Sequence, residues 1–330
     1  MAVSKLKSFS YFSAANYVPA VVGFSLLPIF TNYLTPSDYG IRAIVLLAII
    51  IFQVFSDLGT NWIIRGKYFE IKAKDDLASL ISTLLIISLI IRIFVAIIII
   101  NIKDYIYPPL FPNWSYIHDN LLSVNIIILF LGFSKNLVIP VIILEKRVKS
   151  YLMLTIGTYA INIGSALYFL VWSKKGLISL FYGELAGAIF FAIFSMSLLW
   201  EYKTLRLSNK AFEYILRIGL PAMPKNIISQ VQSNINKYFL QLYMMPSDLG
   251  IFQKSGFVYT GFRGLLKSIG NTVAPSNIKK LTEKEEDNET GLVIIQFIYF
   301  ISILLVMSIL YLESVFKFMG VNESFWICAV

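Results

Sequence analysis

The sequence predicts an all-α integral membrane protein: a polytopic helical bundle of about nine spans plus the start of a tenth, with two parallel pseudo-symmetric lobes around a central cavity. Three observations carry this expectation. Of 330 residues, 57% are hydrophobic and 14% charged, with a mean hydropathy of +0.73, whereas soluble domains average about 25% charged. Apolar stretches long enough to cross a ~30 Å hydrocarbon core recur along the chain. A nine-residue turn sequence recurs 210 positions after its first appearance.

The spans fall at residues 11–34, 41–64, 77–102, 121–144, 151–172, 177–200, 214–243, 249–272 and 291–312, and 325–330 opens a tenth. Lys5 and Lys7 precede the first span, but its apolar run exceeds the ~7–15 residues of a signal-peptide core, so it reads as a retained helix. Alternate connections carry fifteen Lys/Arg on one side and four on the other. Cytoplasmic loops retain basic residues, which places the N-terminus in the cytoplasm. The net charge of +9 follows from that topology, and no loop joins a basic stripe to a nucleic-acid recognition fold, so no nucleic acid is expected as a partner. Tyr105, Tyr107, Trp114 and Tyr116, with Pro108, Pro109 and Pro112, read as an external loop anchored in the headgroup layer.

One cysteine, Cys328, and one histidine, His118, leave no disulfide framework and no metal-ligand cluster, and no cofactor is expected. A membrane-embedded polymerase or acyltransferase needs convergent acid, base or nucleophile groups. His118 and its neighbour Asp119 are the nearest approach to a dyad, and on an extended segment they point to opposite sides. No catalytic residue is assigned.

The recurring turn spans 33–41 and 243–251. Tyr33, Pro36, Ser37, Asp38, Gly40 and Ile41 match Tyr243, Pro246, Ser247, Asp248, Gly250 and Ile251, where chance gives roughly half a match. Six spans separate the copies, so both point the same way and their symmetry axis lies along the membrane normal. The chain divides into 1–205, a six-helix N-terminal lobe, and 206–330, an incomplete C-terminal lobe of three spans and the start of a fourth. Parallel halves that rock about a central cavity suggest a transporter.

Span seven carries a polar stripe, Asn226, Gln230, Ser233, Lys237 and Gln241, within about 80° at 100° per residue. Pro221 and Pro224 favour a kink at its start. Asn16 on span one, and Gln53 and Asp57 on span two, add to this polar lining. Arg92, Lys135, Lys225 and Arg263 lie near mid-span, where a charge costs at least ~2.5–3.5 kcal/mol unless it faces protein or water. Arg42, Arg217, Lys237, Lys254 and Lys267 lie nearer the ends and can snorkel. Asp57 and Glu184 are the acids within the spans, too few to give each central cation its own partner. They are candidate coupling acids, or partners of nearby Lys and Arg. The resulting excess of positive charge suits an anionic substrate, with Arg92, Lys135, Lys225, Arg263, Lys237 and Lys254 as its candidate contacts.

Residues 27–40, reading Leu-Pro-Ile-Phe-Thr-Asn-Tyr-Leu-Thr-Pro-Ser-Asp-Tyr-Gly, with Asp57, Leu58, Gly59, Tyr68, Phe69 and Glu70, resemble the bacterial polysaccharide and O-antigen flippases. These belong to the multidrug/oligosaccharidyl-lipid/polysaccharide exporter superfamily. The resemblance implies a non-enzymatic transporter of the bacterial inner membrane. It moves undecaprenyl-diphosphate-linked oligosaccharide to the outer leaflet by alternating access between two six-helix lobes. Its implied partners are the lipid-linked oligosaccharide, membrane lipids, and polysaccharide polymerase and chain-length proteins. Family members usually carry twelve or more spans, so this chain reads as one lobe and about half of the second. A drug or metabolite antiporter of the same superfamily is the alternative, and the surplus of interior cations disfavours cationic drugs.

Overall fold

The computed structural model describes residues 2–255 except 205, together with 264, 267–272, 274 and 278. Among these residues every regular element is helical. Span one is a bent pair, α1 (Ala2–Ser25) and α2 (Leu27–Tyr33), turned by 46°. Pro28, at the start of α2, has no N–H to give to the preceding turn and sets the bend there. The recurring turn then starts α3 (Pro36–Asp57). Thr35 caps that helix: its N–H donates to the Asp38 carboxylate at 2.8 Å, while its hydroxyl accepts from the Asp38 N–H at 3.3 Å. The second copy repeats half of this box, the Met245 N–H donating to the Asp248 carboxylate at 3.3 Å.

Leu58 at φ 42° and Gly59 at φ 63° end α3 in left-handed backbone, and α4 (Thr60–Lys67) completes span two. Gly59 is required twice over, by its φ and by its neighbour, since a Cβ there would lie 2.7 Å from the Cα of Gly219. Helix α5 (Lys74–Leu110) is one 37-residue helix, about 55 Å long at 1.5 Å per residue and so much longer than the ~30 Å core. Its end revises the expected aromatic loop. The helix runs through Pro108 and Pro109, and Tyr107 and Phe111 are each only 1% exposed. Four residues apart on one helical face, they pack together, and the Tyr107 hydroxyl donates to the Ala48 carbonyl at 3.1 Å. Tyr105 stays outside, 82% exposed.

Span four breaks at a short 3-10 turn, Gly132–Ser134, between α6 (Asp119–Leu131) and α7 (Lys135–Leu144). Spans five and six are α8 (Val148–Leu167), continued by a π turn at Tyr168–Trp172, and α9 (Ile178–Leu199). Then come α10 (Asn209–Tyr214), a π turn at Ile215–Gly219, α11 (Leu220–Tyr243) and α12 (Pro246–Ser255). By length and apolarity, four helices and two bent pairs qualify as spans. These are the first six of the nine expected. Helix α11, 24 residues long, has the length to cross as well, but its polar stripe makes it less apolar than these six. Span eight past Ser255 is described only at scattered positions, and span nine and the opening of a tenth lie outside the described residues.

Burial is arranged for lipid. Phe94, Met153 and Ile193 are 62%, 62% and 68% exposed on outer faces, while Phe12, Ile63, Leu84, Leu137, Val141 and Tyr151 form one interior cluster. The turn after α7 is closed by Glu145, which accepts from the Tyr68 hydroxyl at 2.8 Å and from the Tyr202 hydroxyl, and pairs with Arg147 at 2.7 Å. Burial raises the Glu145 carboxyl above its ordinary range, opposed by the Tyr68 hydrogen bond and the Arg147 charge.

The two copies of the recurring turn meet. Helix α12 lies on α3 so closely that a Cβ on Gly40 would overlap the Pro246 carbonyl, and one on Gly250 would overlap the Pro36 carbonyl. Each copy places its glycine on the other's proline, a reciprocal contact of the kind a two-fold axis generates.

Candidate functional site

Spans two to seven enclose a cavity of about 500 Å³ lined by Gln53 from α3, Arg92 from α5, Asn125 from α6, Lys135 and Asn136 from α7, Asn162 from α8, Glu184 from α9, and Asn234 and Lys237 from α11. The break in span four builds much of it. A 3-10 turn after α6 leaves carbonyls near the helix end available to side chains, and three groups use the break. Arg92 donates to the Leu129 carbonyl, Ser88 to the Phe133 carbonyl at 2.9 Å, and the Ser134 and Ser195 hydroxyls share a hydrogen bond of 2.6 Å. Immediately after the break, Lys135 opens α7 and projects into the cavity.

The charges divide into paired and unpaired. Arg92, 3% exposed, pairs with Asp57 at 2.6 Å, as the reading of the span acids as partners of nearby Lys and Arg expects. Glu184 pairs with Arg42. Both candidate coupling acids are thus engaged by arginine. Lys135 makes no ion pair or hydrogen bond with any described residue, and Lys237 reaches only the neutral Asn234 oxygen, at 3.3 Å. Two ammonium groups therefore face one cavity without a salt bridge to any described residue, Lys135 within the field of the Asp57 carboxylate that Arg92 already holds, surrounded by amides that donate and accept hydrogen bonds. Such an arrangement is repulsive when empty and favourable around an anion with several oxygens.

Other sequence-selected residues lie elsewhere. Asn226, Gln230 and Asp57 line a smaller neighbouring pocket of about 160 Å³ with Asn136, which faces both spaces. Lys225 stacks over the Trp62 ring at 4.4 Å, away from the cavity. Gln241 is buried and donates to the Leu110 carbonyl at 3.1 Å, tying α11 to the end of α5. Ser233 is exposed and bonds its own helix, to Ser229, at 2.7 Å. Asn16 joins spans one, five and eight, donating to Ser268 at 2.9 Å and accepting from Tyr151 at 3.3 Å. Lys254 sits on α12, its side chain outside the description, and Arg263 lies outside the described residues. Asp119 pairs with Lys103 at 2.6 Å. The sequence reading passed over Asn125, Asn136, Asn162 and Asn234. Asn234 had a signal: four residues beyond Gln230, it lies about 20° past the edge of the polar sector.

A charged, amide-lined cavity inside a bundle of apolar helices is the architecture of a membrane transporter. Solved structures agree in fold: a MATE transporter in complex with MaD3S superposes with TM-score 0.68 at 14% identity over 98% of this chain and 78% of that one. A multidrug resistance MATE family transporter of the MOP superfamily matches in its outward-facing form, with TM-score 0.65 and 14% identity over 97% of this chain and 75% of that one. The inward-facing form matches with the same score and identity, covering 97% and 74%. No curated protein sequence gives a match. The chain belongs to the polysaccharide biosynthesis protein family, whose model matches residues 29–319.

Proposed function

We propose that this protein is a flippase for undecaprenyl-diphosphate-linked oligosaccharide, an O-antigen or capsule repeat unit, carrying it from the cytoplasmic to the outer leaflet of the bacterial inner membrane. The observation that carries the reading is the pair Lys135 and Lys237, two ammonium groups from different helices that line one cavity and make no salt bridge with any described residue. A diphosphate offers several anionic oxygens to two point charges, and the amides of Gln53, Asn125, Asn136, Asn162 and Asn234 suit sugar hydroxyls. Membership of a polysaccharide biosynthesis family supports the cargo class. The lobes are residues 1–205 and 206–330, the N-terminus is cytoplasmic, and the cavity opens to each side in turn as the lobes rock. Polysaccharide polymerase and chain-length proteins act next on the exported unit and are the expected partners.

A small-molecule antiporter is the second reading, favoured by the MATE neighbours, though two unpaired cations disfavour cationic drugs. The test is in cells: Lys135→Gln and Lys237→Gln accumulate the lipid-linked precursor and lose export at unchanged protein abundance, with greater loss in the double variant. Full export by the double variant rejects the cavity assignment. Drug resistance lost in its place supports the antiporter.

A further inference from the structure

A second space lies against the cationic cavity and has the opposite chemistry. Between α3 and α11 runs a groove of about 520 Å³, walled by Leu47, Val54, Phe55, Val231, Ile235 and Phe239. Phe55, Val231, Ile235 and Phe239 remain 49%, 51%, 39% and 51% exposed. Ile50 and Asn234 line both spaces, so cavity and groove adjoin, parted by one residue from each helix. Around α11 the sequence of surfaces is continuous: Lys237 and Asn234 face the cavity, and Val231 and Ile235 follow about 60–100° further round. From Ile227 to Phe239 the groove follows α11 for about 18 Å, more than half of the ~30 Å hydrocarbon core.

We infer that this groove seats the isoprenoid chain of the cargo while its diphosphate occupies the cavity at Lys135 and Lys237, an inference that rests on the anionic-cargo reading above. A soluble sugar phosphate has no use for an apolar slot beside a cationic cavity. An amphiphile with an anionic head and a long unsaturated hydrocarbon tail fills both at once. Keeping the tail against α3 and α11 spares it the polar cavity, and the chain leaves between spans two and seven toward the lipid.

The test uses the purified full chain in nanodiscs and two probes, inorganic diphosphate and geranylgeranyl diphosphate, with dicetyl phosphate as competitor. The tailed probe is expected to bind at least tenfold tighter than the head alone. Val231→Trp, which fills the groove, lowers binding of the tailed probe tenfold or more and leaves inorganic diphosphate unchanged. That unchanged binding reports that the variant is folded. Should the Trp variant fail to fold, Val231→Ser with Phe55→Ser makes the same test by polarity. Ile193→Trp, on an outer face of α9, changes neither. Equal binding of both probes by wild type and groove variants overturns the inference. Competition by dicetyl phosphate as strong as by the isoprenoid also overturns it, marking a general acyl-chain slot. The head-group reading fails separately: Lys135→Gln with Lys237→Gln then leaves inorganic diphosphate binding untouched while the groove variants still weaken the tailed probe, which sustains the groove.

Discussion

Adding one methyl group at the contact between the two turn copies should pry it open. In Gly40→Ala the new Cβ would overlap the Pro246 carbonyl, and in Gly250→Ala it would overlap the Pro36 carbonyl while lying 2.9 Å from the Gly40 nitrogen. The obstruction is backbone, so no rotamer change relieves it, and α3 and α12 must separate. Overpacking of this kind costs typically ~1–3 kcal/mol. If the penalty falls on the closed contact alone, each substitution shifts the population toward the separated state by about 5- to 150-fold, at about tenfold per 1.4 kcal/mol. Leu249, 0% exposed beside the contact, supplies the reporter. Leu249→Cys in a Cys328→Ser background should react with a soluble maleimide at least fivefold faster once either glycine is changed. The two substitutions act on one contact and should be less than additive together. Unchanged labelling at normal protein abundance would refute the reasoning. So would faster labelling accompanied by an equal rise at Leu84→Cys, a fully buried position in the separate interior cluster, since that signals general loosening.

Three further outcomes follow from the ion pairs and the ring contact. Asp57→Asn leaves Arg92 buried without its counter-charge and should destabilise by about 3–5 kcal/mol, while Asp57→Asn with Arg92→Met recovers much of that in a detergent unfolding assay; no recovery rejects the pair as the cause. Because burial holds the Glu145 carboxyl above its ordinary range, the folded state binds its proton more tightly than the unfolded state does. Its contribution to stability is therefore present at low pH and lost as pH rises through the ordinary carboxylate range toward the folded value. Glu145→Gln should flatten the fall of unfolding temperature over that window, and an identical slope would dismiss Glu145 as its source. Lys225→Ala removes a cation–π contact with Trp62 worth about 0.5–1 kcal/mol, so export should persist where Lys237→Gln lowers it; equal loss in both would show that the two lysines share one role.

Local chemistry was legible in the sequence and distant pairing was not. The 33–41 and 243–251 turns announced themselves because Pro, Ser, Asp and Gly each perform a fixed backbone task, and the reciprocal contact of Gly40 with Pro246 came as its three-dimensional consequence. The apolar runs located the first six spans for the same reason: a period and a length suffice. Which cations stay unpaired depends on neighbours far away in sequence. Arg92 finds Asp57, and Arg42 finds Glu184, through helix packing that no single span encodes. On α11 the split was partly readable, for Lys225 and Lys237 lie about 120° apart around the helix and cannot share a face. The end of α5 misled because aromatics beside prolines suit both a headgroup loop and a buried helical turn. Tyr107 and Phe111, four residues apart, chose the turn.

The close approach of Gly59 to Gly219, at the other end of α3 from the Gly40 contact, bears on what the protein must not do. The two contacts are separated by about 28 Å of helix, with the polar cavity between them. A carrier that large risks becoming a conduit for protons and salt if both ends part together. Here the stoppers at each end are main chain against main chain, with no side chain to swing aside. If α3 tilts as a body in the rocking proposed above, loosening one contact tightens the other, and the cavity opens to one face at a time.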